Sequence, residues 1–126
     1  MSLYHGLFVK ASAVPDLNVN RSEGLFQLGT GSAMVYVAAG LTLATVATAG
    51  KEKVAILQIT AAGVISLKYG TEVAVGSGLA EFPTPDSGNL KLACIGTAAS
   101  PITNATTAIT NAMINNLVKS EEFGGR

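Results

Sequence analysis

The chain has 126 residues, of which eight are basic and eight acidic, so its formal net charge is zero. This length predicts one domain that can bury a core without the help of metal, and the single cysteine, Cys94, excludes an intramolecular disulfide. The scattered lysines and arginines argue against nucleic-acid binding, which needs clustered cations, and a charged fraction of only 13% favours self-association.

Residues 1–23 are predicted to form an extended N-terminal arm. Pro15 favours extended backbone at the residue before it and cannot donate a hydrogen bond within a central strand. Such an arm can lie across a neighbouring subunit, and the alternative is an ordinary edge strand of the same subunit. The predicted partner contacts are the apolar residues of the arm: Leu3, Tyr4, Leu7, Phe8, Val14 and Leu17.

Residues 24–119 are predicted to form a mainly β domain, a small antiparallel β-sandwich or barrel-like fold built from short strands. Val54–Thr60 and Val64–Tyr69 flank a three-residue connection that ends in Gly63, which predicts a hairpin with a left-handed glycine. Thr48–Glu52 is predicted to be a turn. Alternation from Asn89 to Ile95 predicts that Leu90, Leu92 and Cys94 share one buried face.

The C-terminal part of the domain changes its periodicity. Ile109, Met113 and Leu117 are four residues apart, which predicts one short amphipathic helix over Thr110–Lys119. Residues 120–126 are predicted to be a flexible tail. Ala33–Ala49 has no charge, but its threonines and short length argue against a transmembrane helix, and the N-terminus does not resemble a signal peptide.

The residues that could carry chemistry do not form a recognisable site. Glu72 and Glu81 flank a glycine-rich segment and are the best candidates for a pair of catalytic carboxylates, yet loop carboxylates are normally just solvated. The aspartate and asparagines that begin at Asp16 lack the glycine of a calcium loop. Cys94 has only His5 as a possible partner. We therefore predict no enzyme activity, no catalytic or metal site and no cofactor.

One arrangement of strands and turns extends over residues 24–118. It consists of Phe26–Leu43, Val54–Glu72, the loop Phe82-Pro-Thr-Pro, the strand Asn89-Leu-Lys-Leu-Ala-Cys-Ile and the ending Ile109-Thr-Asn-Ala-Met-Ile-Asn-Asn-Leu. This arrangement resembles small structural proteins of tailed bacteriophage virions, namely capsid decoration (cement) proteins and fibre or spike modules, which are commonly trimeric. Those modules share no catalytic residues, so the resemblance transfers none.

The resemblance implies a mechanical function in the virion, which is assembled in the cytoplasm of the bacterial host. The first hypothesis is a trimeric decoration protein that binds the major capsid protein or another virion protein and stabilises the head. The alternative is a tail or head-fibre component used for attachment or anchoring. A small carbohydrate-binding module is a further alternative, disfavoured by the absence of tryptophan, and it requires Tyr36, Tyr69 or Phe82 exposed beside polar groups.

Overall fold

The computed structural model describes residues 2–7, 9–12, 16–28 and 35–117, with the side chains of 7, 9–12, 16–26 and 35–117. Within these residues the chain is almost entirely β-structure. The strands, in chain order, are β1 (Ser2–Gly6), β2 (Val9–Ala11), β3 (Asn18–Arg21), β4 (Gly24–Leu28), β5 (Val35–Val37), β6 (Gly40–Leu43), β7 (Lys51–Lys53), β8 (Ala55–Ile59), β9 (Ile65–Tyr69), β10 (Val73–Ala74), β11 (Leu90–Ile95), β12 (Ile102–Thr103) and β13 (Ile114–Asn116).

The strands pair antiparallel in four small sheets, which confirms the predicted mainly β, antiparallel fold. The largest sheet has the order β13-β11-β8-β9, and the other three have the orders β1-β4-β5, β2-β3-β6 and β10-β7-β12. Short strands of this kind cannot bury a core within one sheet, so the sheets pack against each other.

Two contacts between sheet edges close the structure in the manner of a barrel. The edge strands β13 and β2 contact each other, and so do the edge strands β6 and β9. At the first junction the Asn116 side chain replaces a strand partner: the backbone N–H of Val9 donates to Asn116 Oδ1 at 2.7 Å, and Asn116 Nδ2 donates to the carbonyl of Val9. At the second, the backbone N–H of Thr45 donates to the hydroxyl of Tyr69 at 2.8 Å.

The core lies between these sheets, and β8 runs through its centre. All five residues of β8 are buried, which a strand reaches only when both faces of its sheet are covered. Ala55, Leu57 and Ile59 belong to the main hydrophobic cluster. The largest fully buried side chains of the protein are Phe26, Leu7, Ile56, Leu57, Ile59, Leu92, Ile95, Ile102, Ile109, Val9, Val19 and Val54.

The predicted hairpin at residues 54–69 is confirmed. β8 and β9 pair in continuous register from Ala55 opposite Tyr69 to Ile59 opposite Ile65. Gly63 in the connection has a φ of 90°, the left-handed conformation that glycine adopts without a steric penalty. A Cβ at this position would also lie 3.1 Å from Cγ1 of Val35.

The predicted common face of Leu90, Leu92 and Cys94 is wrong. The register between β11 and β8 shifts between Lys91 and Ala93, so Leu92 is the extra residue of a β-bulge. Leu90 lies opposite Ile59, on the core side, whereas Cys94 lies opposite Ile56, on the other side. The prediction that Cys94 is buried is correct.

Two other local predictions also need correction. The predicted helix over Thr110–Lys119 is absent: Asn111–Met113 forms a single 3-10 turn, and β13 follows and pairs with β11. The predicted turn over Thr48–Glu52 ends earlier than expected, because β7 begins at Lys51 and pairs on both sides. The predicted tail, 120–126, lies outside the described residues. No helix in the described part of the chain is long and apolar enough to cross a membrane.

Candidate functional site

The carboxylates of the described residues serve mainly as hydrogen-bond acceptors within the fold. Asp86 makes the most polar contacts. Its Oδ2 accepts a hydrogen bond from Gln58 Nε2 at 2.9 Å, and its backbone N–H donates to Gln58 Oε1 at 2.9 Å. Its Oδ1 forms a salt bridge with Lys68 Nζ at 2.9 Å. Lys68 also donates to the carbonyl of Thr84 at 2.7 Å. The lysine, together with Gln58, holds the pKa of Asp86 below its ordinary value. This network fixes the proline-containing loop across the face of β8 and β9 opposite the core.

Two glutamates, one on β7 and one just before its partner strand β10, also have structural partners. Glu52 is buried, and its Oε1 accepts a hydrogen bond from the backbone N–H of Gly76 at 2.8 Å. Glu72 Oε2 accepts from the backbone N–H of Thr48 at 2.9 Å, and this bond is the main cause of the lowered pKa of Glu72. In the predicted catalytic pair, Glu72 is therefore engaged with the backbone, while Glu81 has no such partner.

The remaining candidates for chemistry also have local roles. The Asp16 carboxylate accepts a hydrogen bond from the backbone N–H of Asn18 at 2.9 Å. This bond lowers the pKa of Asp16 and makes a turn of the kind that aspartate and asparagine side chains commonly form. Burial raises the pKa of the Cys94 thiol, so little thiolate forms near neutrality. Among the described residues, no group of three histidine, cysteine or acidic side chains is placed to hold a metal ion.

The predicted partner-contact residues lie partly within the chain's own sheets. β1 pairs with β4, so Leu3 lies opposite Gln27 and Tyr4 opposite Phe26 in the register. Leu7 is fully buried in the core and has a φ of 63°, and Leu17 is half-buried. Phe8 and Val14 lie outside the described residues. Contact with a partner through this segment stays a prediction, and Leu7 has no exposed surface in this chain.

A different pair of residues provides exposed apolar surface. Thr42 of β6 lies opposite the buried Val19, so its neighbours Leu41 and Leu43 point away from the core. Leu41 is 57% and Leu43 65% exposed. We call these two side chains the β6 leucine pair. They lie on one face of a strand that has a hydrogen-bonded partner, β3, on one side only.

A second exposed apolar pair lies on another sheet. Leu25 of β4 lies directly opposite Tyr36 of β5, so the two side chains share a face. Both are exposed. The Tyr36 hydroxyl donates to Glu23 Oε1 at 2.8 Å, and this bond raises the pKa of Tyr36.

An open cleft of about 590 Å³ lies between the end of β9 and the loop that follows β10. Its lining residues are Tyr69, Gly70, Thr71, Val73, Leu79, Glu81, Phe82, Pro83 and Thr84. We call it the Phe82 cleft, because Phe82 is the exposed aromatic residue in its lining. Gly70 is needed for its shape: a Cβ there would lie 2.1 Å from the carbonyl oxygen of Glu81.

A second cavity, of about 480 Å³, lies at the junction of β2 and β13 and is lined by Val9, Lys10, Ser22, Asn111, Ile114 and Asn116. Its amide side chains are engaged with the backbone. Asn116 bonds to Val9, and Asn111 Oδ1 accepts the N–H of Ala11 at 2.7 Å. The polar groups that line this cavity therefore serve to join β2 to the segment that contains β13.

Comparison of the chain with protein families, characterised proteins and solved structures finds no match.

Sequence reasoning identified some of these surfaces and missed others. The alternation of Leu41, Thr42 and Leu43 was visible as a strand pattern, but the pattern alone does not say that the leucines face outward. Phe82 and Tyr69 were candidates for sugar contact, and the structure places both in one cleft. The burial of Glu52 and Lys53 had no local signal, because a Lys-Glu-Lys sequence normally indicates a solvated turn.

Proposed function

We propose that this protein is a non-enzymatic structural protein of a bacteriophage virion, a homotrimer that decorates the capsid and stabilises the head. Its partners in this proposal are other copies of itself and the major capsid protein, and neither nucleic acid nor a membrane takes part. The protein joins the particle during assembly in the cytoplasm of the bacterial host.

The observation that carries the proposal is the β6 leucine pair. Both side chains are more than half exposed, in a chain whose low and balanced charge does little to oppose association. Burying a leucine completely stabilises a contact by about 1.5–3 kcal/mol before the cost of association is subtracted. An outward apolar pair on a strand edge is therefore a good centre for an interface.

A ring of three subunits also requires two different surfaces, because each subunit meets its neighbours through unlike faces. The β6 leucine pair and the Leu25–Tyr36 pair lie on different sheets, and this arrangement supports a cyclic assembly. The resemblance of residues 24–118 to decoration and fibre modules is what directs the proposal to the virion.

The first test is the mass of the purified chain in solution, measured by light scattering after size exclusion. We expect three times the chain mass of 12.8 kDa. The double variant Leu41→Thr/Leu43→Thr introduces β-branched residues, which strands favour, and removes apolar surface, so we expect it to be monomeric. Val64→Thr is the matched control, because Val64 is an exposed apolar residue at the β8–β9 turn, and it should stay trimeric. A monomeric wild type would contradict the proposal.

A second measurement separates the head from the alternative location in a tail or head fibre. Quantitative mass spectrometry of purified virions gives the copy number of the chain relative to the major capsid protein. A decoration protein should approach the copy number of the capsid protein, whereas a fibre component should be present in only a few copies per particle. Immunogold labelling of the same particles then shows where the protein lies.

A further inference from the structure

We propose that the Phe82 cleft is a saccharide-binding site. This inference goes beyond the structural function above and does not depend on it, since a cleft within one subunit can bind a sugar whatever the oligomeric state. The proposed ligand is a neutral oligosaccharide.

The size and the mixed lining of the cleft fit this class of ligand. Its volume of about 590 Å³ falls within the range of about 300–1,000 Å³ that is usual for small-molecule sites. One part of the lining is apolar, with Phe82 41% exposed and Leu79 69% exposed. The C–H face of a pyranose ring packs on such an aromatic face, whose π-system carries partial negative charge.

The polar part of the lining supplies partners for sugar hydroxyls. Thr71 and Thr84 each carry a hydroxyl that can donate and accept, and Glu81 carries a carboxylate that accepts two bonds. The Glu81 side chain has no hydrogen bond or ion pair within the described part of the chain, unlike Asp86 and Glu72. The Glu81 carboxylate is therefore available for a ligand, since nothing in the described fold uses it.

The Glu81 carboxylate and the Phe82 ring would also suit a cationic ligand such as an arginine side chain, but Lys53 argues against this. Its ammonium nitrogen lies 3.9 Å from the centroid of the Tyr69 ring, and Tyr69 forms one wall of the cleft. The buried lysine does not line the cleft itself, but it places a positive charge next to it. This charge opposes the attraction that the Glu81 carboxylate exerts on a cation and does not weaken hydrogen bonds to a neutral sugar, so the geometry favours the saccharide.

The test is a glycan array that carries bacterial surface oligosaccharides together with simple neutral and acidic oligosaccharides, probed with the labelled full-length protein. The best-bound glycan is then titrated by calorimetry against the wild type and three variants. Phe82→Leu keeps apolar volume but removes the aromatic face, and Glu81→Gln removes the charge of the acceptor. Val64→Ala removes exposed apolar surface outside the cleft and is the matched control.

We expect the wild type to bind at least one glycan, and we expect Phe82→Leu and Glu81→Gln each to weaken binding by about tenfold, which corresponds to about 1.4 kcal/mol. Val64→Ala should bind like the wild type. The proposal is overturned if no glycan binds, if Phe82→Leu binds as well as the wild type, or if an arginine-rich peptide binds the cleft in place of glycans. Light scattering on the same samples reports the trimer separately, so failure of this inference cannot be confused with failure of the proposed function.

Discussion

At the scale of single residues, the Asp86 carboxylate shows how one side chain fixes a loop that has no regular structure. Residues 82–89 form no strand, yet Asp86 links this loop to both Gln58 and Lys68. Gln58 is almost completely buried, so its amide needs partners from the fold, and Asp86 supplies both an acceptor and a donor. The contacts of its carboxylate with Gln58 and Lys68 depend on the charge of Asp86, which makes the loop sensitive to acid.

We therefore predict that Asp86→Asn lowers the thermal stability near neutral pH and that this loss disappears in acid. The pKa of Asp86 is lower in the folded chain than its ordinary value of 3.8. The stabilisation from its charge is thus fully present above that value and is lost as the pH falls through the folded pKa. Melting temperatures of the wild type and the variant should differ at about pH 7 and converge as the pH falls below 3.8.

Glu81→Gln is the matched control for this pH series, because Glu81 is an exposed carboxylate with no partner among the described residues. Its melting temperature should follow that of the wild type at every pH. A constant difference between wild type and Asp86→Asn across the whole series would show that the charge of Asp86 does not act through Lys68 and Gln58.

At the scale of secondary-structure elements, the junction between β2 and β13 decides how the sheets close. The two strands belong to different sheets and share no backbone hydrogen bond in the strand pairing. Asn116 provides the link, since its amide offers one donor and one acceptor with nearly the spacing of a peptide group. The N–H of Val9, in a residue that is only 1% exposed, would otherwise lack a partner.

We predict that Asn116→Ala destabilises the protein by about 1–3 kcal/mol, because two hydrogen bonds are lost and buried backbone groups are left without partners. Asn115→Ala is the matched control, since the Asn115 side chain is exposed, and its effect should stay within about 0.5 kcal/mol. Urea denaturation at one fixed protein concentration measures both. Equal effects of the two variants would mean that the hydrogen bonds of Asn116 contribute no more to stability than an exposed asparagine of the same strand.

At the scale of the whole molecule, the core is built from many short strands that are joined by loops. Fifteen buried residues form its main cluster, and they come from both ends of the chain as well as from its centre. Exposed apolar side chains such as those of the β6 leucine pair remain outside this core. A chain of this kind gains stability when copies associate, because association covers surface that folding leaves exposed.

We accordingly expect the melting temperature of the wild type to rise with protein concentration, since a folded assembly is favoured by mass action. Differential scanning calorimetry over about a hundredfold concentration range measures this dependence. Leu41→Thr/Leu43→Thr should melt at a temperature that does not depend on concentration. If the wild type behaves in the same way as this variant, association through the β6 leucine pair does not stabilise the fold.

The sequence by itself determined the class of the fold and its most local unit. Alternating apolar and small polar residues with frequent turns predict antiparallel β-structure, and the hairpin of β8 and β9 follows from a short connection that ends in Gly63. Such features are local, because a strand's alternation and a turn's glycine depend on neighbours in the chain.

Only the tertiary structure decided which strands meet, and this is where sequence reasoning failed. The spacing of Ile109, Met113 and Leu117 fits a helix, yet the segment forms one 3-10 turn and then the strand β13, because β11 offers it a partner. The Asn116 side chain of β13 reaches the backbone of Val9. The bulge at Leu92, the burial of Glu52 and the Phe82 cleft likewise depend on contacts between residues distant in sequence. Long-range pairing leaves no local pattern, because its energy comes from packing and hydrogen bonds that exist only after the sheets assemble.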